Sequence, residues 1–152
     1  MTKWLIFAYI TLSVALFSPL LHTGGDNACY IILAESIVKH GEMRDLQYPG
    51  EPRHTKYPIG FPLILAPFVA VFGKNLIILK CVIMLFGVGG YVFFIKLAKS
   101  ILPPFYACFA SLAYLLTPVL LQYKHWVLSE TPYIFFSLGS IWFILQGEKN
   151  GC

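Results

Sequence analysis

The stretch LIILKCVIMLFGVGGYVFFIKL, residues 76–97, has the length and apolarity of a membrane-spanning helix. Crossing the hydrocarbon core of a bilayer takes about 20 mostly apolar residues. Its two charged residues, Lys80 and Lys96, lie near its ends, from which a lysine side chain can extend its ammonium group to the interface. This stretch therefore predicts a transmembrane helix.

The composition of the whole chain agrees with a membrane location. Of the 152 residues, 58% are hydrophobic and only 12% are charged, and the mean hydropathy is +0.73. A soluble domain carries about 25% charged residues, so the chain is predicted to be an integral membrane protein. Its net charge of +4 is scattered and forms no basic groove lined with aromatic residues, which excludes nucleic acid as the expected partner.

Three further segments have the apolar character of a span: residues 4–21, 105–121 and 127–146. Gly60–Phe72 is also apolar, but it is short and contains Pro62 and Pro67, which favours a re-entrant or interfacial helix. The predicted fold class is therefore all-α: a polytopic membrane protein of about four transmembrane helices, with interfacial helices in a large first loop. A fifth span is the alternative for Gly60–Phe72.

Segment 4–21 also has some features of a secretory signal peptide, which begins with a short basic region and an apolar core. Its apolar core is longer than such a core usually is, and no small-x-small cleavage site follows it. We therefore predict a span and keep the signal peptide as the alternative.

The first loop, residues 22–59, overlaps a polar segment, residues 23–62. This polar segment holds most of the acidic residues: Asp26, Glu35, Glu42, Asp45 and Glu51. Residues 27–40 place Ile31, Ala34, Ile37 and Val38 at helical spacing, and Gly41 follows as a C-terminal stop. These features predict a helix lying along the membrane interface, in a loop where a functional site is to be sought.

Asp26 stands directly before this predicted helix and after two glycines. The simpler interpretation is a helix N-cap, whose carboxylate accepts the first unpaired backbone N–H groups. The functional interpretation is a catalytic or substrate-binding carboxylate held just above the bilayer. The two interpretations are compatible, since a cap also fixes the position of its side chain.

The second half of the polar segment contains a short cationic run. Arg53, His54 and Lys56 place three potential phosphate donors close together, and both lysine and arginine bind phosphate well. Pro58 and Pro62 stiffen the backbone here and bias the residues that precede them away from helix. The alternative is that these bases only face lipid headgroups, but that role does not require a stiffened backbone.

Glu130 is an acidic residue at the start of the segment 127–146. Acidic residues at membrane depth are costly and are functional candidates by default. The alternative is an interfacial residue paired with Lys124 or His125. Several aromatic residues have the character of an interfacial aromatic belt: Tyr30, Tyr48, Tyr57, Tyr123 and Trp126.

Three stretches, GGDNACYIILAESIVKHG, HTKYPIGFPLILAPFVAVFG and LSETPYIFFSL, resemble the amino-terminal part of the type-C membrane glycosyltransferases. The branch they most resemble contains the protein O-mannosyltransferases and the lipid-A aminoarabinose transferase. The resemblance covers residues 4–146. It implies a polyprenyl-phosphate-linked sugar as donor and membrane lipids as surroundings. It also implies inverting sugar transfer to a protein, lipid or glycan acceptor.

The resemblance also implies roles for individual residues. Asp26 matches the loop acid that acts as catalytic base or orients the acceptor, and Glu130 matches a second acidic position. Lys56, in a Lys-Tyr-Pro run, matches the residue that holds the lipid phosphate. Its neighbours Arg53, His54 and Tyr57 complete the expected substrate-binding set. Many relatives have a second acid after the first, where this chain has Asn27, so a paired-acid mechanism is not expected.

Orientation, cofactors and completeness are less directly indicated. The count of Lys and Arg in loops favours a cytoplasmic polar segment, whereas the resemblance implies a multi-pass protein of the plasma or inner membrane with loop 22–59 extracytoplasmic. We follow the resemblance. No residue pattern indicates a protein-bound metal or an organic cofactor, and a divalent-metal requirement stays open.

Family members are usually several hundred residues long. We therefore expect this chain to be a truncated part of a longer protein, inactive without the missing carboxy-terminal half, which would act as a separate chain if the enzyme is split. The alternative function is a non-catalytic polytopic subunit that binds lipid or associates with a transporter. Convergence of Asp26, Lys56 and Glu130 on one cavity would favour the transferase.

Overall fold

The computed structural model describes residues 2–21, 26–123 and 125–149. Within these ranges the secondary structure consists of seven helices, with no β-strand beyond one isolated bridge between Arg44 and Arg53. The helices are α1 (Thr2–Ala15), α2 (Asn27–His40), α3 (Gly60–Phe72), α4 (Leu76–Ile101), α5 (Pro104–Leu116), α6 (Pro118–Tyr123) and α7 (Glu130–Lys149). The predicted all-α class is confirmed.

The chain divides into two compact units. We call the first, residues 1–18, 83–125 and 130–152, the helix unit, and the second, residues 19–82 and 126–129, the loop unit. The loop unit contains the polar segment and the predicted interfacial helices. The helix unit contains α1, α5, α6, α7 and most of α4.

The core of the helix unit is built around Tyr91 of α4, which is fully buried. The Tyr91 ring stacks on Tyr9 of α1 at 4.6 Å between centroids and on Tyr114 of α5 at 5.4 Å. Its hydroxyl donates to the carbonyl oxygen of Ser111 at 3.0 Å. This polar tip is therefore satisfied inside an otherwise apolar core.

Helix α4 also packs closely against α7, and glycines make this possible. A Cβ atom at Gly89 would lie 2.6 Å from the ring of Phe135, and one at Gly139 would lie 3.2 Å from the ring of Phe93. Small residues allow helix backbones to approach in this way, as is common between membrane helices.

In the loop unit, α2 packs against α3. Leu33 of α2 and Leu65 of α3 are almost fully buried, and Tyr30 meets Phe61 edge to face at 4.8 Å. Of the apolar stripe predicted for α2, Ile31 and Ala34 are buried, whereas Val38 is 44% exposed. Gly41 ends α2 in the left-handed conformation (φ 70°), and its N–H donates to Ile37, as glycine at this position commonly does.

The link between α2 and α3 folds back as a small hairpin-like loop. The N–H of Asp45 donates to Pro52 and the N–H of His54 donates to Met43, each at 2.9 Å. The buried Ser36 hydroxyl donates to the carbonyl oxygen of Glu42 and accepts the N–H of Arg44, both at 2.8 Å. These bonds attach the loop to α2.

Of the described residues, only α4 forms a helix both long and apolar enough to cross a membrane. It has 26 residues and extends to Ile101, beyond the predicted end at residue 97. The four-span count therefore has support from one helix. Helix α1 has 14 residues, or about 21 Å, which is shorter than the roughly 30 Å hydrocarbon core.

Two predicted segments differ from the observed helices for identifiable reasons. Segment 105–121 is interrupted at Thr117, which is extended (φ −66°, ψ 114°) and precedes Pro118, because proline disfavours helical geometry in the residue before it. Segment 127–146 becomes helical only at Glu130. Before Glu130, the N–H of Val127 donates a hydrogen bond to the side-chain oxygen of Asn27.

Acidification is expected to weaken one ion-pair cluster of the loop unit. Glu35 accepts from Lys39 and Lys74, each at 2.8 Å, and these hydrogen bonds lower the pKa of Glu35 below its ordinary 4.5. A lowered folded-state pKa gives stability that is present above the unfolded-state pKa and is lost as pH falls through the folded-state value. We expect the unfolding temperature of wild type to fall more between pH 5 and pH 3 than that of Glu35→Gln. Equal slopes would contradict this assignment.

Candidate active site

Asp26 occupies the N-cap position of α2, but its carboxylate has another use. The backbone carbonyl of Asp26 accepts the first helical N–H, from Tyr30, at 3.0 Å. Among the described residues its side chain makes no capping hydrogen bond to the helix. Instead, the Tyr57 hydroxyl donates to the Asp26 carboxylate. The capping interpretation therefore holds for the backbone of Asp26 and not for its carboxylate.

Lys56 contacts the same tyrosine. Its ammonium nitrogen is 4.9 Å from the centroid of the Tyr57 ring, within the range of a cation–π contact. Interaction with the Tyr57 hydroxyl is the main cause that raises the pKa of Lys56, and the charge of Asp26 adds to it. The hydrogen bond to Asp26 in turn raises the pKa of Tyr57. Lys56 is therefore held as a cation and Tyr57 as a neutral donor.

His54 contacts both the ring and the backbone of Tyr57. Its ring is stacked on the Tyr57 ring at 5.2 Å and 13°, and its Nε2 accepts the Tyr57 backbone N–H at 2.9 Å. Because a backbone N–H can only donate, Nε2 carries no proton, and Nδ1–H donates to Asp45 at 2.7 Å. The His54 side chain is only 7% exposed. Both ring nitrogens are occupied, so His54 positions Tyr57 and is not placed as a phosphate donor.

Arg53 is engaged by the loop itself. Its Nε lies 2.9 Å from a carboxylate oxygen of Glu42, and Glu42 also accepts from Arg44 Nε at 2.7 Å. The pairing with Arg44 is the main cause that lowers the pKa of Glu42. The Arg53 side chain is nevertheless 79% exposed, so its remaining guanidinium N–H groups stay accessible to a ligand.

Glu130 is the first residue of α7 and is exposed. It belongs to the helix unit, whereas Asp26, Tyr57 and Lys56 belong to the loop unit. A carboxylate in the first turn of a helix is favoured by the helix dipole, which accounts for an acid at this position. Of the predicted site residues, the structure thus brings together Asp26, Lys56 and Tyr57, with His54 packed against Tyr57.

The resulting site consists of a carboxylate, a phenol and an ammonium group that meet around one ring. A carboxylate can take or orient a proton, and an ammonium group can stabilise negative charge that develops on a leaving group. Among the described residues, the histidines, cysteines and acidic residues form no cluster of three or more that could hold a metal ion.

The sequence did not single out the loop residues that bind His54 and Arg53. These residues are Asp45 and Glu42. Asp45 and His54 are nine residues apart and meet because the loop reverses at residues 48–51, where the N–H of Glu51 donates to Tyr48 at 3.1 Å. Pro49-Gly50, with Gly50 at φ 80°, is typical of such a type II turn. This dipeptide was the available signal that the two flanks of the turn would pair.

Comparison of the chain with protein-family models, with curated proteins and with solved structures finds no match.

Proposed function

We propose that the chain is a membrane glycosyltransferase, or part of one, that transfers a sugar from a polyprenyl-phosphate donor to a protein, lipid or glycan acceptor with inversion. One observation carries the proposal: Asp26 and Lys56, which are far apart in sequence, both contact Tyr57. An acid and a cation at one point are the two groups that this reaction requires.

The chemistry assigns one role to each group. An acceptor hydroxyl attacks the anomeric carbon, the bond from that carbon to the phosphate oxygen breaks, and the polyprenyl phosphate leaves with the electron pair. Asp26 takes the acceptor proton, a role that general-base catalysis rewards with about 10²–10⁴-fold in rate. Lys56 stabilises the charge on the leaving phosphate, and Tyr57 orients the Asp26 carboxylate. Arg53 adds a second cation for the phosphate.

A membrane location supports the choice of a lipid-linked donor. Within the helix unit, many large apolar side chains face outward, among them Trp4, Leu85, Phe105 and Phe143, each more than 60% exposed. Extensive exposed apolar surface is typical of contact with a membrane. We propose a multi-pass protein with the four predicted spans and an extracytoplasmic loop 22–59. A helix that is shorter than the hydrocarbon core is accommodated by local thinning of the bilayer or by association with other helices.

The proposal predicts that Lys56 binds the phosphate of the donor. Changing Lys56→Gln removes a charged hydrogen-bond donor, so we expect binding of undecaprenyl phosphate to weaken by about tenfold. Binding is measured on the detergent-solubilised chain by native mass spectrometry, with undecaprenol, which lacks the phosphate, as the comparison ligand. Wild type is expected to prefer the phosphate.

Lys3→Gln is the matched control, because Lys3 is an exposed lysine of α1 outside the loop unit. It should leave the affinity for undecaprenyl phosphate unchanged. Equal weakening by Lys56→Gln and Lys3→Gln would mean that the phosphate is attracted by general charge. A wild type that binds undecaprenol and undecaprenyl phosphate equally would overturn the proposal and favour a non-catalytic lipid-binding subunit.

A further inference from the structure

The loop unit contains a cleft that shares no residue with the Asp26–Tyr57–Lys56 site. Its volume is about 350 Å³, at the lower end of the range of about 300–1,000 Å³ that small-molecule pockets occupy. The residues that line it come from α2, from the loop and from the link between α3 and α4: Ile32, Glu35, Lys39, His40, Leu46, Gln47, Glu51 and Lys74.

One part of the cleft presents two ammonium groups. Lys39 and Lys74 each contact a different oxygen of Glu35 at 2.8 Å. A lysine ammonium has three N–H donors, so each keeps donors beyond the one given to Glu35. Both side chains are more than half exposed, at 58% and 55%. These spare donors suit an anionic group such as a phosphate.

Another part of the cleft presents a carboxylate with spare acceptors. Glu51 lies 3.5 Å from Nε2 of His40, and its side chain is 45% exposed. A carboxylate has about four acceptor positions, and this contact uses at most one. Gln47 also lines the cleft. An ammonium group with N–H donors would be recognised here.

The position of Lys74 in the chain indicates where such a ligand would come from. Asn75 follows it and caps α4, its Oδ1 accepting the N–H of Ile77 at 3.0 Å. Helix α4 is the one described helix long and apolar enough to cross a membrane. A cation directly before a transmembrane helix lies at the level of the lipid headgroups. Phosphate groups are concentrated at that level.

We propose that this cleft binds the headgroup of a phospholipid that carries both a phosphate and a primary amine. Lys39 and Lys74 hold the phosphate, and Glu51 accepts from the amine. The proposal rests on α4 crossing the membrane and not on sugar transfer, so it stands or falls separately from the function proposed above.

The test compares lipids that differ only in the amine. The full chain is titrated in detergent with dioleoylphosphatidylethanolamine and with dioleoylphosphatidylcholine, and bound lipid is counted by native mass spectrometry. Phosphatidylcholine has no amine N–H to donate, so we expect it to bind about five- to tenfold more weakly. Soluble glycerophosphoethanolamine, which lacks the acyl chains, is expected to displace the bound phosphatidylethanolamine.

Variants then assign the binding to the cleft. Lys74→Gln and Glu51→Gln should each weaken phosphatidylethanolamine binding by about fivefold, whereas Lys3→Gln should not change it. Circular dichroism verifies that each variant is folded, and the two substitutions provide independent tests. Equal affinity for the two lipids, unchanged binding by both cleft variants, or no displacement by glycerophosphoethanolamine would each overturn the proposal.

Discussion

The substitution Asp26→Asn is expected to lower sugar transfer by about 10²–10⁴-fold, the contribution of a general base. An asparagine oxygen can still accept the Tyr57 hydroxyl bond that Asp26 accepts now. The substitution therefore removes basicity and leaves the hydrogen-bonded arrangement in place. Transfer is measured in membranes that contain the protein expressed from its own gene with any sequence that follows residue 152, using mannosyl- and aminoarabinosyl-phosphoryl-undecaprenol as donors.

The control for this prediction is Glu148→Gln, which removes a carboxylate from the exposed surface near the end of α7. It should transfer sugar at the wild-type rate. Undecaprenyl phosphate binding should be unchanged in Asp26→Asn, because the phosphate contact is assigned to Lys56. Transfer by Asp26→Asn at the wild-type rate would remove Asp26 from the mechanism, even if the phosphate-binding role of Lys56 held.

The helices of the loop unit were predictable because their signals are local. Helix α2 covers residues 27–40 and α3 covers residues 60–72, the ranges that the sequence predicts. Gly41 and Gly73, at φ 70° and 62°, mark the ends of these helices, and glycine is the residue that adopts such a conformation most readily. A signal carried by one residue next to the helix end can be found without knowledge of the fold.

The contacts of the site were not predictable in the same way. His54 and Arg53 were counted as phosphate donors from their chemistry, since the sequence shows which groups can donate but not which partner each will find. In the folded loop, His54 pairs with Asp45, and Arg53 pairs with Glu42. Likewise, the hydrogen bond between Tyr57 and Asp26 depends on how α2 and the loop pack, and hydrophobic periodicity carries no information about it.

The start of α7 is another feature that the sequence did not predict correctly. Apolar character predicted a helix from residue 127, because Val127 and Leu128 are apolar. Both are buried within the loop unit, so their apolar character reflects burial rather than helix. An apolar run indicates that side chains avoid water and does not by itself state which element buries them.

The substitution Asn27→Ala is expected to destabilise the loop unit by about 1–3 kcal/mol, the cost of a buried hydrogen-bonding group left without its partner. The Asn27 side chain is 1% exposed, and its Oδ1 accepts the N–H of Val127 at 2.7 Å. Val127 is itself fully buried, so water cannot replace the lost acceptor. Thermal unfolding in detergent measures the loss, and hydrogen exchange of residues 126–129 locates it.

Ser129→Ala is the matched control because it removes another hydrogen bond from the same segment. Tyr30 and Ser129 join their hydroxyls at 3.2 Å in a partly buried place, where solvent can compensate, so a loss of only about 0.5–1.5 kcal/mol is expected. Faster exchange at Val127 in Asn27→Ala but not in Ser129→Ala would assign the effect to the Asn27 bond. Equal stability of Asn27→Ala and wild type would show that the hydrogen bond between Asn27 and Val127 does not stabilise segment 126–129.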